Sequence, residues 1–276
     1  MNKPRVACIQ MASSPNVSAN LLEAGKLIEQ AVDEGARMVV LPENFALMGL
    51  HEQDKLGVAE NEGQGPIQDF MQRIAHRHGI WLVGGTIPIR ASEDKVMATC
   101  LIYDDKGECA GRYDKIHLFD VHVPGSDETY LESNTISAGT HPLVIQTPWG
   151  RLGVAICYDL RFPELFRRMA MSGMEMLAIP SAFTQRTGAA HWEVLLRARS
   201  IENQCYTLAS NQGGYHINGR ETYGHSLICE PWGQVIACIP GGSGHAIAEL
   251  DMEKLQHIRS SFPVLQHCRL IQEPSV

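Results

Sequence analysis

The sequence predicts an α/β fold of two mixed sheets packed face to face, each covered by helices. Two observations carry that reading. The first third of the chain alternates strand-like and helix-like stretches, an order that favours parallel neighbours with helices outside. The remainder carries three hairpin-like strand pairs, with helical stretches after the second and the third. No linker, low-complexity tract or charge block breaks the rhythm, so one domain is expected over 1–276.

The elements follow in order. "RVACIQMA" (5–12) is a β-run. Residues 18–35 place Leu21, Gly25, Ile28 and Val32 at helical spacing, with Ser18 as N-cap and Gly35 as terminator. "MVVLPE" (38–43) is a short buried strand. Residues 65–79 put Ile67, Phe70, Met71 and Ile74 on one helical face and end at Gly79. "IWLVGGTIPI" (80–89) is the next strand. The hairpins turn at Asp105-Lys106-Gly107, Trp149-Gly150 and Trp232-Gly233. Helices are expected after Pro163, over 189–203 and near 252–261.

Composition removes several function classes. The 276 residues are 44% hydrophobic and carry a net charge of −8, so no basic stripe for nucleic acid or anionic membrane is expected. No apolar run approaches the roughly 20 residues of a membrane span, and the N-terminus has no signal-peptide pattern. Eight scattered cysteines do not form a disulfide framework and suit a reducing cytoplasm. A zinc enzyme would need clustered ligands. The chain has no C-x-x-C or H-E-x-x-H, and His76 and His78 point apart on a helix.

Three stretches could carry chemistry. In "GVAICYDLRF" (153–162), Cys157 stands where a buried strand gives way to a helix. Most cysteines are core filler. A helix N-terminus, however, offers free N–H groups and partial positive charge that favour a thiolate and an oxyanion. In "VVLPENF", Glu43 closes an apolar strand, where a raised pKa would suit a general base. Its plainer reading is a cap or a salt bridge. In "GRYDKIHLFD", Lys115 follows a strand and could hold an oxyanion, although lysines mostly lie on the surface. All three sit at or beyond strand ends, where parallel folds collect ligand sites.

Together, "VVLPENF", "GRYDKIHLFD" and "GVAICYDLRFPEL" resemble the three signature blocks of the nitrilase, or carbon–nitrogen hydrolase, superfamily, in order and across essentially the whole chain. The resemblance implies a four-layer α-β-β-α sandwich. It also implies Glu43 as base, Lys115 as oxyanion stabiliser, Cys157 as nucleophile and no cofactor. "PGSDETYLES" resembles the loop that carries an assisting glutamate in this family. Glu132 is the natural match, with Glu128 nearby. Homodimers or larger homo-oligomers are common in the family.

The implied chemistry is amide hydrolysis through a thioester, with Lys115 and the Tyr158 N–H holding the oxyanion. Tyr158-Asp159 resembles the amidase branches rather than the true nitrilases, which carry Trp-Glu. The stretches 181–206 and 214–226 resemble the deaminated glutathione amidase branch most. A small carboxylate-bearing amide is therefore the expected substrate, with deaminated glutathione foremost. An ω-amidase acting on α-ketoglutaramate or α-ketosuccinamate is the alternative, and a non-catalytic nitrilase-fold binding protein is a further one. Tyr158, Arg161, Thr184, Thr187 and His191 are the expected substrate-binding residues, with Arg186 and Arg220 as further cations. Arg197 and Arg199 are expected to be structural.

Overall fold

Along the first strand, Arg5–Gln10, successive side chains face opposite ways, as the two-residue period of a strand requires. Ala7 and Ile9 pack with Val39, Leu41 and Leu82 against one pair of helices. Val6 and Cys8 pack with Met38, Val40 and Val83 into the space between two sheets. That alternation is the origin of the layers. The computed structural model describes residues 3–125 and 128–269.

Among these residues the first sheet runs Gly244–Glu249, Arg5–Gln10, Met38–Val40, Trp81–Val83, Val96–Tyr103 and Ile87–Arg90. Cys109–Asp114 and Ile136–Ser137 also pair with Val96–Tyr103. Arg5–Gln10, Met38–Val40 and Trp81–Val83 are mutually parallel neighbours, as the alternating order requires. Helices Val17–Asp33 and Pro66–His78 cover the outer face through Ala24, Ile28, Ile67 and Met71. The second sheet runs Leu143–Thr147, Gly150–Val154, Met176–Ser181, Tyr206–Asn211, Ser226–Cys229 and Val235–Ile239. Helices Pro163–Met171 and Gln185–Asn203 cover it through Phe166, Met169, Trp192 and Leu196. The result is an α-β-β-α stack. Ser210 in the second sheet places its hydroxyl 2.6 Å from the Ile9 carbonyl and 2.7 Å from the Val40 carbonyl, and so links the two sheets.

The three hairpins form where the turns require them. The helix over 65–79 occupies Pro66–His78 and ends at a left-handed Gly79. Four boundaries differ from expectation. The first helix is capped by Asn16, whose side chain accepts the Ala19 N–H at 3.0 Å, not by Ser18. The strand over 38–43 shortens to Met38–Val40 because Pro42 has no N–H to continue the ladder. The stretch 80–89 divides into Trp81–Val83 and Ile87–Arg90. Gly85 breaks it with φ +59°, a left-handed conformation that side chains resist. The helix expected from 189 begins at Gln185, because Thr184 accepts the Thr187 N–H and caps it one turn earlier.

The break at Gly85 also supports the segment leading to Glu43. A Cβ at position 85 would lie 2.3 Å from the Pro42 carbonyl oxygen and 3.0 Å from the Phe45 ring. Gly85→Ala adds that clash to a strained backbone, a strain of roughly 1–3 kcal/mol alone. The expected outcome is a lower urea midpoint together with reduced activity, since Pro42 adjoins Glu43. An unchanged midpoint would mean the loop moves freely.

Candidate active site

Three chain segments converge on a small recess at the carboxyl ends of the central strands. The first carries Glu43. The Leu41 N–H still donates to the Val83 carbonyl at 2.9 Å, but Pro42 ends the pairing. Asn44 then turns at φ +57°, its N–H held by the Thr86 hydroxyl at 2.8 Å. The Glu43 carbonyl accepts from Gln212 Nε2 at 3.0 Å, which fixes the main chain behind the carboxylate.

The second segment carries Lys115, one residue past strand Cys109–Asp114. Its N–H donates to Ala98, and its carbonyl accepts from Gly139. Side-chain direction is therefore set by a fully bonded backbone. The ammonium is 1% exposed. It lies 2.7 Å from Glu43 Oε1 and 2.9 Å from the Glu132 carboxylate. Glu132 opens a short 3₁₀ turn, Glu132–Asn134, and also accepts the Phe119 N–H at 2.7 Å. Of the two loop glutamates, Glu132 reaches the lysine. Glu128 instead accepts from the Tyr130 hydroxyl at 3.0 Å. Ser126 and Asp127 of that loop lie outside the described residues.

The third segment carries Cys157. After strand Gly150–Val154 the chain makes a sharp corner, with Cys157 itself at φ +47°. A non-glycine residue in that region costs of order 1–3 kcal/mol and persists only where its surroundings enforce it. The enforcement comes from Asp159, which is completely buried. One of its carboxylate oxygens accepts the Ile156 N–H at 2.9 Å and the Tyr113 hydroxyl at 2.7 Å. The other accepts the His117 N–H at 2.9 Å and lies 2.7 Å from His117 Nδ1. Tyr113 and His117 flank Lys115 in sequence. One carboxylate therefore ties the cysteine corner to the lysine strand.

Burial and neighbouring charges shift the titration of Cys157, Lys115 and Glu132 in opposing directions. Burial raises the Cys157 pKa far above its ordinary value, and the adjacent Glu43 carboxylate raises it further. The Lys115 ammonium only partly opposes them. The expectation of a thiolate held by a helix N-terminus is thus corrected. Cys157 opens the 3₁₀ turn Cys157–Arg161, the α-helix starts only at Pro163, and desolvation dominates. Cys157 and the Glu43 carboxylate line the same recess, and each acts on the other's charge. Burial alone would pull Lys115 toward neutrality, but Glu132 and Glu43 outweigh it and hold its pKa well above the ordinary lysine value. Burial likewise works against an ionised Glu132. Lys115 and the Phe119 N–H prevail and hold its pKa below 4.5.

Of the expected substrate-binding residues, Tyr158, Arg161, Thr184 and Thr187 line a recess with Cys157 and Phe119. Arg161 lies over the Tyr158 and Phe183 rings, at 5.7 and 5.2 Å from their centroids. His191 does not itself line this recess. It lies one helical turn further on, exposed, with its ring 3.1 Å from Arg161 Nη1. Arg186 is also exposed and away from the recess. Arg220 lines the cavity containing Glu43, Lys115 and Cys157. Arg197 and Arg199 serve structure, donating to the Gly233 and Leu160 carbonyls. Tyr113, His117 and Gln212 are not singled out by the sequence, which marks Asp159 only as part of the Tyr158-Asp159 branch signature. The signal for Asp159 was a carboxylate one residue beyond Tyr158 that could only be buried if several donors met it.

Two outcomes are expected. In Asp159→Asn the new amide group faces either the Ile156 and Tyr113 donors or the His117 N–H. That strands at least one donor, at about 1–3 kcal/mol. The urea midpoint and kcat should both fall, and a wild-type midpoint would show that Asp159 does not hold the corner. Glu132 has a depressed pKa, so its ion pair contributes stability above pH 4.5 that is lost as pH falls through the folded-state value. The stability gap between wild type and Glu132→Gln should therefore shrink steadily below that pH in urea titrations. A gap independent of pH would mean that the charge is not what matters.

Comparison with known proteins agrees with this geometry. The carbon-nitrogen hydrolase family model matches residues 5–260. A deaminated glutathione amidase from Yersinia enterocolitica is 40% identical over 98% of this chain and 95% of its own length. One from Synechocystis is 42% identical over 95% and 96%. The crystal structure of Saccharomyces cerevisiae Nit3, a member of branch 10 of the nitrilase superfamily, superposes with a TM-score of 0.86. It is 34% identical and covers 95% of both chains. By family model, sequence and fold alike, the chain belongs to the carbon-nitrogen hydrolase family.

Proposed function

We propose that this protein is a cysteine-dependent amidase whose substrate is an α-keto-acid amide bearing a free carboxylate, with deaminated glutathione as the best reading. One observation carries the mechanism. A buried ammonium held between Glu43 and Glu132 shares one recess with a buried cysteine at a left-handed corner, where burial pushes the thiol pKa up. A neutral thiol is a poor nucleophile, so deprotonation must accompany attack. Glu43 takes the proton as Cys157 Sγ bonds to the amide carbon. The oxyanion forms against Lys115 Nζ and the Tyr158 N–H. One such donor is worth about 2.7–4 kcal/mol in comparable sites. The C–N bond then breaks, Glu43 returns the proton to the leaving nitrogen, and a thioester remains. Water attacks it with Glu43 again as base, releasing the acid and the thiol.

Glu132 acts through Lys115. It keeps the ammonium charged and aimed while Glu43 changes protonation state. Arg161, with Thr184 and Thr187, reads the acyl carboxylate. Its guanidinium sits between aromatic rings rather than in a carboxylate pair, which leaves it available for bidentate recognition.

Self-association completes the reading. Val194 and Ile201 lie two turns apart on the outer face of helix Gln185–Asn203, and Trp232 and Phe262 are exposed as well. This apolar surface suits a second copy of the chain. No helix among the described residues is long and apolar enough to cross a membrane.

The test is a substrate panel of deaminated glutathione, α-ketoglutaramate, α-ketosuccinamate, a neutral amide and a nitrile, followed by release of the acid product. Turnover of the keto-acid amides and none of the nitrile is expected. Cys157→Ala should abolish turnover while the fold persists, and an alkylating substrate analogue should add one adduct, at Cys157. Labelling at Cys109 or Cys268 would remove Cys157 from the mechanism. Equal rates for charged and neutral amides would replace this reading with a general amidase.

A further inference from the structure

Two openings meet at Cys157. Toward Arg161 there is a recess of only about 10 Å³, lined by Tyr158, Phe183, Thr184 and Thr187. Toward Glu43 and Lys115 there is a second one of about 30 Å³. Asn44, Glu52, Lys55, Tyr130 and Arg220 line this second recess. The same five also line an adjoining cleft of about 330 Å³. We propose that this cleft is a subsite for a peptide-like leaving amine that ends in a carboxylate, with Arg220 as the group that reads the carboxylate. The proposal rests on the amidase reading above and adds to it where the departing amine sits and which residue reads its end.

The placement follows from proton transfer. The leaving nitrogen must face the acid that protonates it, and Glu43 lines the second opening and not the first. The acyl chain therefore points toward Arg161, and the leaving group points into the cleft. When the tetrahedral intermediate collapses, the carbon–nitrogen bond breaks, the nitrogen takes the proton held by Glu43, and the neutral amine departs through the cleft. Ammonia is about the size of a water molecule, whose share of liquid volume is roughly 30 Å³. The cleft is about ten times larger and falls within the range of small-molecule sites, roughly 300–1,000 Å³. An amine of dipeptide size uses that space, and ammonia does not.

Charge identifies the end group. Lys55 pairs with Glu52 at 2.6 Å. Glu128 accepts from Tyr130 at 3.0 Å. Arg220 is anchored by the Ala182 carbonyl and lies 5.0 Å from the centroid of the Tyr130 ring. Among the described residues its Nε has no hydrogen-bond partner, and no ion pair joins it to a carboxylate. The guanidinium is thus held by a carbonyl and a ring face while no carboxylate among the described residues pairs with it, the arrangement suited to a carboxylate from outside. The cleft is also built rather than open by chance. The Arg220 N–H donates to the Asn218 side chain, and Asn218 Nδ2 donates to the Gly49 carbonyl, which pins the turn between strands Gly213–Tyr215 and Glu221–Tyr223 against the wall bearing Glu52 and Lys55.

The experiment uses three amides sharing one α-keto acyl group: α-ketoglutaramate, which releases ammonia, deaminated glutathione, which releases cysteinylglycine, and its C-terminal carboxamide. For the wild type, kcat/KM should be at least tenfold higher for deaminated glutathione than for either of the others. Arg220→Gln should lose at least tenfold more on deaminated glutathione than on α-ketoglutaramate, with most of the loss in KM. The wild-type comparison of acid and carboxamide needs no variant and stands even if Arg220→Gln folds poorly. Equal wild-type rates on acid and carboxamide, or equal Arg220→Gln losses on all three amides, would overturn the subsite and leave the amidase reading intact. Hydrolysis of none of the three would overturn both.

Discussion

A single ammonium decides how the two halves of the site are held. Lys115 is buried, and an unpaired charge at that depth costs several kcal/mol. It is tolerable because Glu43 and Glu132 both lie within 3 Å. The dependence is mutual, since Glu43 and Glu132 would repel one another in the same cavity without the cation between them. Three segments far apart in sequence thus meet because none of the three charges can be buried alone. The strand-end loop, the lysine strand and the glutamate loop are each positioned by that requirement.

Asp159 does for the cysteine corner what Lys115 does for the carboxylates. Its donors come from both sheets. Ile156 lies just past strand Gly150–Val154 of the second sheet, while Tyr113 and His117 belong to a strand of the first and the loop after it. The strained backbone at Cys157 is therefore paid for by a hydrogen-bond network that also sets the spacing between thiol and ammonium. Stacking of His117 on Phe162, with ring centroids 3.7 Å apart, closes the arrangement on its outer side. Geometry at the reacting atoms is a property of sheet packing rather than of any one loop.

The hairpin formed by Gly213–Tyr215 and Glu221–Tyr223 is coupled to the same centre. Gln212 at its base bonds the Glu43 carbonyl and Ser13. Buried His216 bonds the Ser13 carbonyl and Thr222. The segment that presents Arg220 thus also steadies the main chain behind Glu43. Under the proposed function, recognition of the departing group and placement of its proton donor share one support.

By itself the sequence determined the layered α/β architecture, most elements and the positions of Glu43, Lys115 and Cys157. Those features are local. Alternating apolar residues specify strands, a glycine such as Gly79 ends a helix, and three short motifs survive as contiguous strings. Tertiary structure alone decided the rest. The break at Gly85, the role of Asp159 and the choice of Glu132 over Glu128 depend on which donors or cations arrive from elsewhere in the chain. The same holds for the upward pull on the thiol pKa, since a helix N-terminus was legible in sequence but the depth of burial that opposes it was not. It holds too for the contrast between Arg161 and Arg220, which opposite sides of one cysteine set apart. Long-range burial and charge pairing have no period or spacing in a sequence, so only the packed chain reveals them.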